Sequence, residues 1–154
     1  VVTECAATFG SQAVVVAIDA RRRASAEAGA VPTWEVVVRG GREATGLDAV
    51  EWATRVVGIG AGELLVTSID RDGTGLGFDT DLLRAIVERV HVPVSASGGA
   101  AGPADFVAAV RDGGVDAVLA AGIFHRREHS IGAVKAAMAA AGIPVRAISD
   151  ETAA

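Results

Sequence analysis

Asp19 closes an unbroken apolar run, Val14-Val15-Val16-Ala17-Ile18. A carboxylate there is not ordinary strand packing, because burying a charge without a partner is costly. At the low-dielectric mouth of an α/β fold its pKa can be tuned for general acid–base work. A helix cap, or an ion pair with the following Arg21-Arg22-Arg23, is the plainer alternative. A second group, Asp70, Asp72 and Gly73, lies in the turn Ile69-Asp70-Arg71-Asp72-Gly73-Thr74-Gly75. Asp-Gly pairs make tight turns unaided. A calcium loop is disfavoured, because Asp81 stands where such a loop needs a glutamate and a strand precedes the first aspartate. A third group is made of small residues, Ser97-Gly98-Gly99 and Ala120-Ala121-Gly122. Small residues after consecutive strands let backbone N–H groups surround a phosphate, helped by a helix amino end. Each alone fits a tight βα turn equally well. His125 reads as a packing residue, His91 and His129 as surface residues, and Lys135 as part of a solvated helix face.

These residues need strands and helices to place them. Val14–Ile18, Leu64–Ile69, Val94–Ala96 and Val115–Ala120 are apolar runs without alternation, which predicts strands covered on both faces in a parallel sheet. Residues 1 to 9 read as the tail of a helix ended by Gly10. Leu47 to Val57 reads as a helix with Leu47, Val50, Ala53, Thr54 and Val57 on one face. Asp79 or Thr80 caps a helix to about Val90, with Leu82, Leu83, Ile86 and Val90 inward. Pro103 opens a helix to about Arg111 with Phe106, Val107 and Val110 inward. A last helix spans Ile131 to Ala141, followed by a closing segment, Val145–Ile148.

Residues 21–46 stand apart as a long loop with a short β excursion over Thr33–Val38 and a turn at Gly40-Gly41. Structured insertions at a strand's carboxyl end are often functional. The sequence therefore predicts an α/β fold of four βα units, preceded by a helix end without its own strand. Four parallel strands with right-handed crossovers form an open sheet or half of an eight-stranded barrel. One domain over 1–148 and a tail at 149–154 are expected. Residue 1 is Val inside an element, so the natural polypeptide is expected to begin upstream.

The bulk composition narrows the function. A chain of 154 residues can bury a real core, and with 51% hydrophobic but 4% aromatic residues that core is aliphatic. A net charge of −5 argues against nucleic-acid binding, which needs a basic patch. The basic run Arg21-Arg22-Arg23 is a solvated loop or a contact for an anionic substrate. The lone Cys5 excludes an internal disulfide or a cysteine zinc site and suits a reducing cytosol. No apolar run approaches the roughly 18 residues of a membrane span, and no basic-then-apolar leader opens the chain. A soluble cytoplasmic protein is expected.

Taken in order, four motifs resemble the cyclase subunit of imidazole glycerol phosphate synthase, a (βα)8 TIM barrel of histidine biosynthesis. They are Phe9-Gly10-Ser11-Gln12-Ala13-Val14-Val15-Val16-Ala17-Ile18-Asp19-Ala20, Gly60-Ala61-Gly62-Glu63-Leu64-Leu65-Val66-Thr67-Ser68-Ile69-Asp70-Arg71-Asp72-Gly73-Thr74, Ala96-Ser97-Gly98-Gly99-Ala100, and Ala120-Ala121-Gly122-Ile123-Phe124-His125. The resemblance covers about residues 1 to 148 and corresponds to the carboxyl half of that barrel, strands five to eight. It implies a glutaminase partner that supplies ammonia, a bis-phosphorylated ribulosyl aminoimidazole carboxamide substrate, and no cofactor. The products are imidazole glycerol phosphate and the aminoimidazole carboxamide ribotide.

By the same resemblance Asp19 matches one of two acid–base aspartates. Thr67, Asp72 and Ser97 match substrate-lining groups, and Gly73, Gly99, Ala121 and Gly122 match one of two phosphate grips. Glu63 matches a residue of the ammonia gate at the opposite mouth. The second aspartate and the second grip belong to the family's amino half, and Arg39 stands where the insertion usually carries His or Tyr. The related phosphoribosyl aminoimidazole carboxamide isomerase shares the two-phosphate architecture. The Ser68–Thr74 turn and the insertion favour the cyclase. A half-barrel also has two open sheet edges, which predicts self-association.

Overall fold

The aliphatic runs form strands and the amphipathic segments between them form the crossovers. The computed structural model describes residues 1–24 and 29–146. Helix α1 (Val2–Phe9) leads through a 3-10 turn (Ser11–Ala13) into β1 (Val15–Arg22). Parallel to β1 lie β4 (Glu63–Ser68), β5 (Val94–Ser97) and β6 (Ala117–Val118). Between them run α2 (Ala49–Gly58), α3 (Thr80–Val87) and α4 (Pro103–Arg111), and α5 (Gly122–His125) and α6 (Ile131–Ala140) follow β6. The fold is the predicted α/β arrangement, with four parallel strands and their helices, the content of half a (βα)8 barrel. Two further strands, β2 (Trp34–Val38) and β3 (Glu43–Asp48), make a mixed six-stranded sheet in the order β3-β2-β1-β4-β5-β6.

The insertion is thus a sheet extension rather than a loop with one short excursion. Strand β1 runs past Ile18 because Asp19–Arg22 pair antiparallel with Trp34–Val37, so the hairpin continues the ladder beyond the apolar run. The turn at Gly40-Gly41 is present, and Arg39 enters it at φ 55° with its guanidinium on the Glu43 carboxylate at 3.1 Å. Residues 25–28, the last two residues of the closing segment and the 149–154 tail lie outside the described residues.

A buried carboxylate fastens this hairpin to the barrel units. Asp79, 4% exposed, caps α3 by accepting from the Leu82 N–H at 3.2 Å. It also accepts from Trp34 Nε1 at 3.0 Å and from the Arg22 guanidinium at 3.5 Å. The same guanidinium reaches Asp81 at 3.0 Å and lies over the Trp34 ring. Three donors and a partner charge are what a buried carboxylate requires.

Helix α2 corrects the expected register. It begins at Ala49, capped by Asp48, whose carboxylate accepts from the N–H groups of Val50 and Glu51. Leu47 is an exposed residue of β3, and the buried stripe is Ala49, Ala53 and Val56 rather than one through Thr54. Helices α3 and α4 keep their expected starts, with Leu82, Leu83 and Ile86 buried on one and Phe106 and Ala109 on the other. Strand β6 is shorter than its apolar run. Only Ala117–Val118 pair with β5, although the Leu119 N–H still donates to the Ala96 carbonyl at 2.8 Å.

The expectation of strands covered on both faces also fails. Burial alternates along β4 and β5. Ile18, Ala20, Leu64, Val66, Val94 and Ala96 join the helices in the core. The opposite face carries Val15, Ala17, Asp19, Glu63, Leu65, Thr67, Ser95 and Ser97, all exposed or half-buried. Helices α2, α3 and α4 pack on the first side. The other side of such strands fills when a sheet closes on itself, as a barrel interior does.

Candidate functional site

Register sets the first part of the site. In the parallel ladders Asp19 is level with Thr67, and Thr67 with Ser97. All three side chains stand half-buried on the sheet face opposite the α2–α4 core, near the carboxyl ends of their strands. Neighbouring strands lie about 4.8 Å apart, so the row spans roughly 10 Å. A half-buried carboxylate at the end of a row of hydroxyls can exchange a proton with a bound molecule while the hydroxyls orient it. The basic run does not neutralise Asp19. Arg21 donates to the Gly41 carbonyl, Arg22 to Asp79 and Asp81, and Arg23 to the Gly46 carbonyl at 3.0 Å. Among the described residues the Asp19 carboxylate has no hydrogen-bond or ion-pair partner.

The second part is a cavity of about 230 Å³ beside that row, lined by Asp72, Gly73, Ser97, Gly98, Gly99, Ala121 and Gly122 among others. Six of the nine residues to which the resemblance assigns a role thus line one hollow. Two glycines are required by geometry. Gly98 and Gly99 have φ of 91° and 106°, in the region that disfavours side chains. A Cβ on Gly98 would stand 2.8 Å from the Ser68 carbonyl, and one on Gly99 would collide with the Gly77 carbonyl. The Gly77 N–H donates to the Gly99 carbonyl at 2.8 Å, which holds the two segments together. Among the described residues no acceptor takes the N–H groups of Gly73, Gly99, Ala121 or Gly122. Free backbone donors around a small hollow can coordinate an anion.

The two aspartates of the intervening turn divide their work. Asp70 accepts from the Arg22 N–H at 2.6 Å and so ties the end of β1 to the turn after β4. Asp72 lines the cavity instead. Glu63 lies far from both, at the amino end of β4, where its carboxylate accepts from Ser95 Oγ at 2.9 Å. Four residues of strand, roughly 13 Å, separate it from Thr67. It borders a different hollow of about 730 Å³ beside β6, along with Leu65, Ser95 and Leu119. His125 is exposed and does not line the small cavity.

Arg126 and Glu128 are the residues that sequence reasoning missed. Both line the small cavity. Arg126 Nη1 lies 2.8 Å from where a Cβ on Gly122 would stand. Its guanidinium holds Glu128 through Nε at 2.6 Å and Nη2 at 3.2 Å. That hydrogen-bonded pairing lowers the Glu128 pKa and raises that of Arg126. The signal lay in spacing. Arg126 is four residues after Gly122, and its N–H donates to the Gly122 carbonyl at 2.9 Å, so one helical turn folds the side chain back over the glycine.

Among the described residues no helix is long and apolar enough to cross a membrane. The family model described as Histidine biosynthesis protein matches residues 1–130, from α1 through the cavity-lining residues after β6.

Proposed function

The chain belongs to the histidine biosynthesis protein family, and within it we propose that the chain is the carboxyl half, strands five to eight, of the cytoplasmic cyclase barrel of imidazole glycerol phosphate synthase. The observation that carries this reading is the meeting, on one open sheet face, of the Asp19–Thr67–Ser97 row with the donor-lined cavity at Gly73, Gly99, Ala121 and Gly122. An acid–base group beside an anion hollow suits a phosphorylated substrate that must lose and gain protons during ring closure. The hairpin of β2 and β3 beside Asp19 supports the cyclase over the related isomerase, because it makes the insertion a built wall of the site.

In this reading the cavity holds one phosphate of the ribulosyl substrate and the hydroxyls of Thr67 and Ser97 orient its chain. Asp19 moves protons as ammonia adds, the imidazole ring closes and the carbon–nitrogen bond breaks. Ammonia from a glutaminase subunit enters past Glu63 and passes along the face at Ala17 and Leu65 toward Asp19. The second aspartate and second phosphate grip come from the four preceding units. Losing one of two acid–base partners costs about 10²–10⁴-fold in rate, so the chain alone turns over poorly.

The test joins this chain to a cyclase amino half and supplies the ribulosyl substrate with ammonium. Imidazole glycerol phosphate is the expected product, at a rate far above that of the chain alone. Ammonia-independent conversion of the isomerase substrate would assign the related isomerase instead. Turnover by the isolated monomeric chain equal to that of the joined barrel would overturn the half-site reading.

A further inference from the structure

Backbone N–H groups are neutral, and the small cavity also presents the carboxylates of Asp72 and Glu128. A phosphate dianion entering it meets two like charges, and among the described lining residues Arg126 carries the single positive one. Resting on the phosphate reading of the cavity, we infer that Arg126 is the charged member of the grip and that Glu128 is its placeholder. Glu128 holds the guanidinium until a phosphate takes it.

The geometry of the pair carries this. The guanidinium engages Glu128 through two nitrogens, the same fork it presents to two oxygens of a phosphate. The Gly122 Cβ position lies 2.8 Å from Nη1 and 3.3 Å from Nη2 of Arg126, so the fork already borders one of the predicted phosphate-binding residues. Both backbones are fixed to the same turn. The Arg126 N–H donates to the Gly122 carbonyl and the Glu128 N–H to the Ile123 carbonyl, each at 2.9 Å. Exchange therefore needs only side-chain rotation, and both side chains have room for it at 63% and 45% exposure. An exposed ion pair is weak enough for a dianion backed by several N–H donors to displace it.

The test is titration of the ¹⁵N-labelled chain with inorganic phosphate at low ionic strength, following amide shifts and binding heat. The amides of Gly73, Gly99 and Gly122 are expected to shift. R126Q is expected to weaken phosphate binding about tenfold or more, as loss of a charge-assisted bond does. R126K, which keeps the charge but not the fork, is expected to fall between. E128Q is expected to tighten binding about twofold to fivefold, and by clearly less when Arg126 is already Gln, where only the repulsion by the carboxylate is relieved. Amides that still shift in an R126Q variant of unchanged affinity would overturn the role of Arg126 and leave the grip standing. An unchanged affinity in E128Q would overturn the placeholder. Absence of amide shifts and heat in the unaltered chain would overturn the phosphate reading itself, and this inference with it.

Discussion

The two faces of the central sheet share their strands and differ in everything built on them. On one face Ile18, Leu64, Val66, Val94 and Ala96 meet α2, α3 and α4 in a dry core. On the other, one residue along each strand, Val15, Asp19, Glu63, Thr67, Ser95 and Ser97 are exposed or half-buried, and Glu63 and Ser95 share a hollow with Ile131 and Met138 of α6. Alternation is weak because both faces carry aliphatic residues, and only the polar ones at every second position tell the faces apart. The difference teaches where stability and chemistry are stored. Substitutions on the covered face should act on folding, and those on the open face on ligand and rate.

The sharpest way to separate them is Asp19→Asn in the joined barrel. Turnover is expected to fall about 10²–10⁴-fold, while the unfolding free energy of this chain in urea stays within about 0.5 kcal/mol of the original. A large stability loss instead would make Asp19 a structural residue. Next comes the adjacent pair on β4. Leu64→Ala, on the covered face, is expected to lose about 2–5 kcal/mol in urea unfolding. Leu65→Ala, on the open face, should lose less than about 1 kcal/mol in the monomer. Equal losses would show that something covers the open face in solution.

A smaller effect is expected at Asp79, where the hairpin joins the covered side. Asp79→Ala removes a helix cap and leaves the Trp34 N–H without its partner, for about 2 kcal/mol together. Tryptophan fluorescence during unfolding reads it, and an unchanged midpoint would mean the hairpin is held elsewhere. The smallest concerns Ser68, a hydroxyl on the covered face with no partner among the described residues. Ser68→Ala is expected to be neutral or stabilising by up to about 1 kcal/mol. A clear loss of stability would reveal a hydrogen bond at that hydroxyl.

Much of the fold was legible because its signals are local. Asp79 caps α3 and Pro103 opens α4 where the sequence places them, since caps and first-turn prolines act within one turn. The hairpin was half legible. Trp34–Val38 alternates weakly and buries Trp34, Val36 and Val37, but every residue of Glu43–Leu47 is exposed, so β3 has no burial pattern to read. Leu47 fell on an apparent helical stripe with Val50, although the cap at Asp48 separates strand from helix. The cavity residues could be picked out because glycines after consecutive strands share a level in a parallel sheet. Arg126 carries only the weaker signal of its four-residue spacing from Gly122, because its place depends on a side chain folding back over that glycine. Nor does spacing separate Asp70 from Asp72, whose roles depend on which one meets the Arg22 N–H.

Arg22 touches three units of the molecule. Its N–H is held by the turn after β4, its guanidinium by the first residues around α3, and its planar face by Trp34 of the hairpin. It therefore works as a rivet through the insertion wall, and the wall should move as one body with the βα units beneath it. The corresponding signature is kinetic. Amide protons of Trp34, Arg22 and Leu82 should exchange with solvent at a common rate, one set by the release of that rivet rather than by fraying of the hairpin tip.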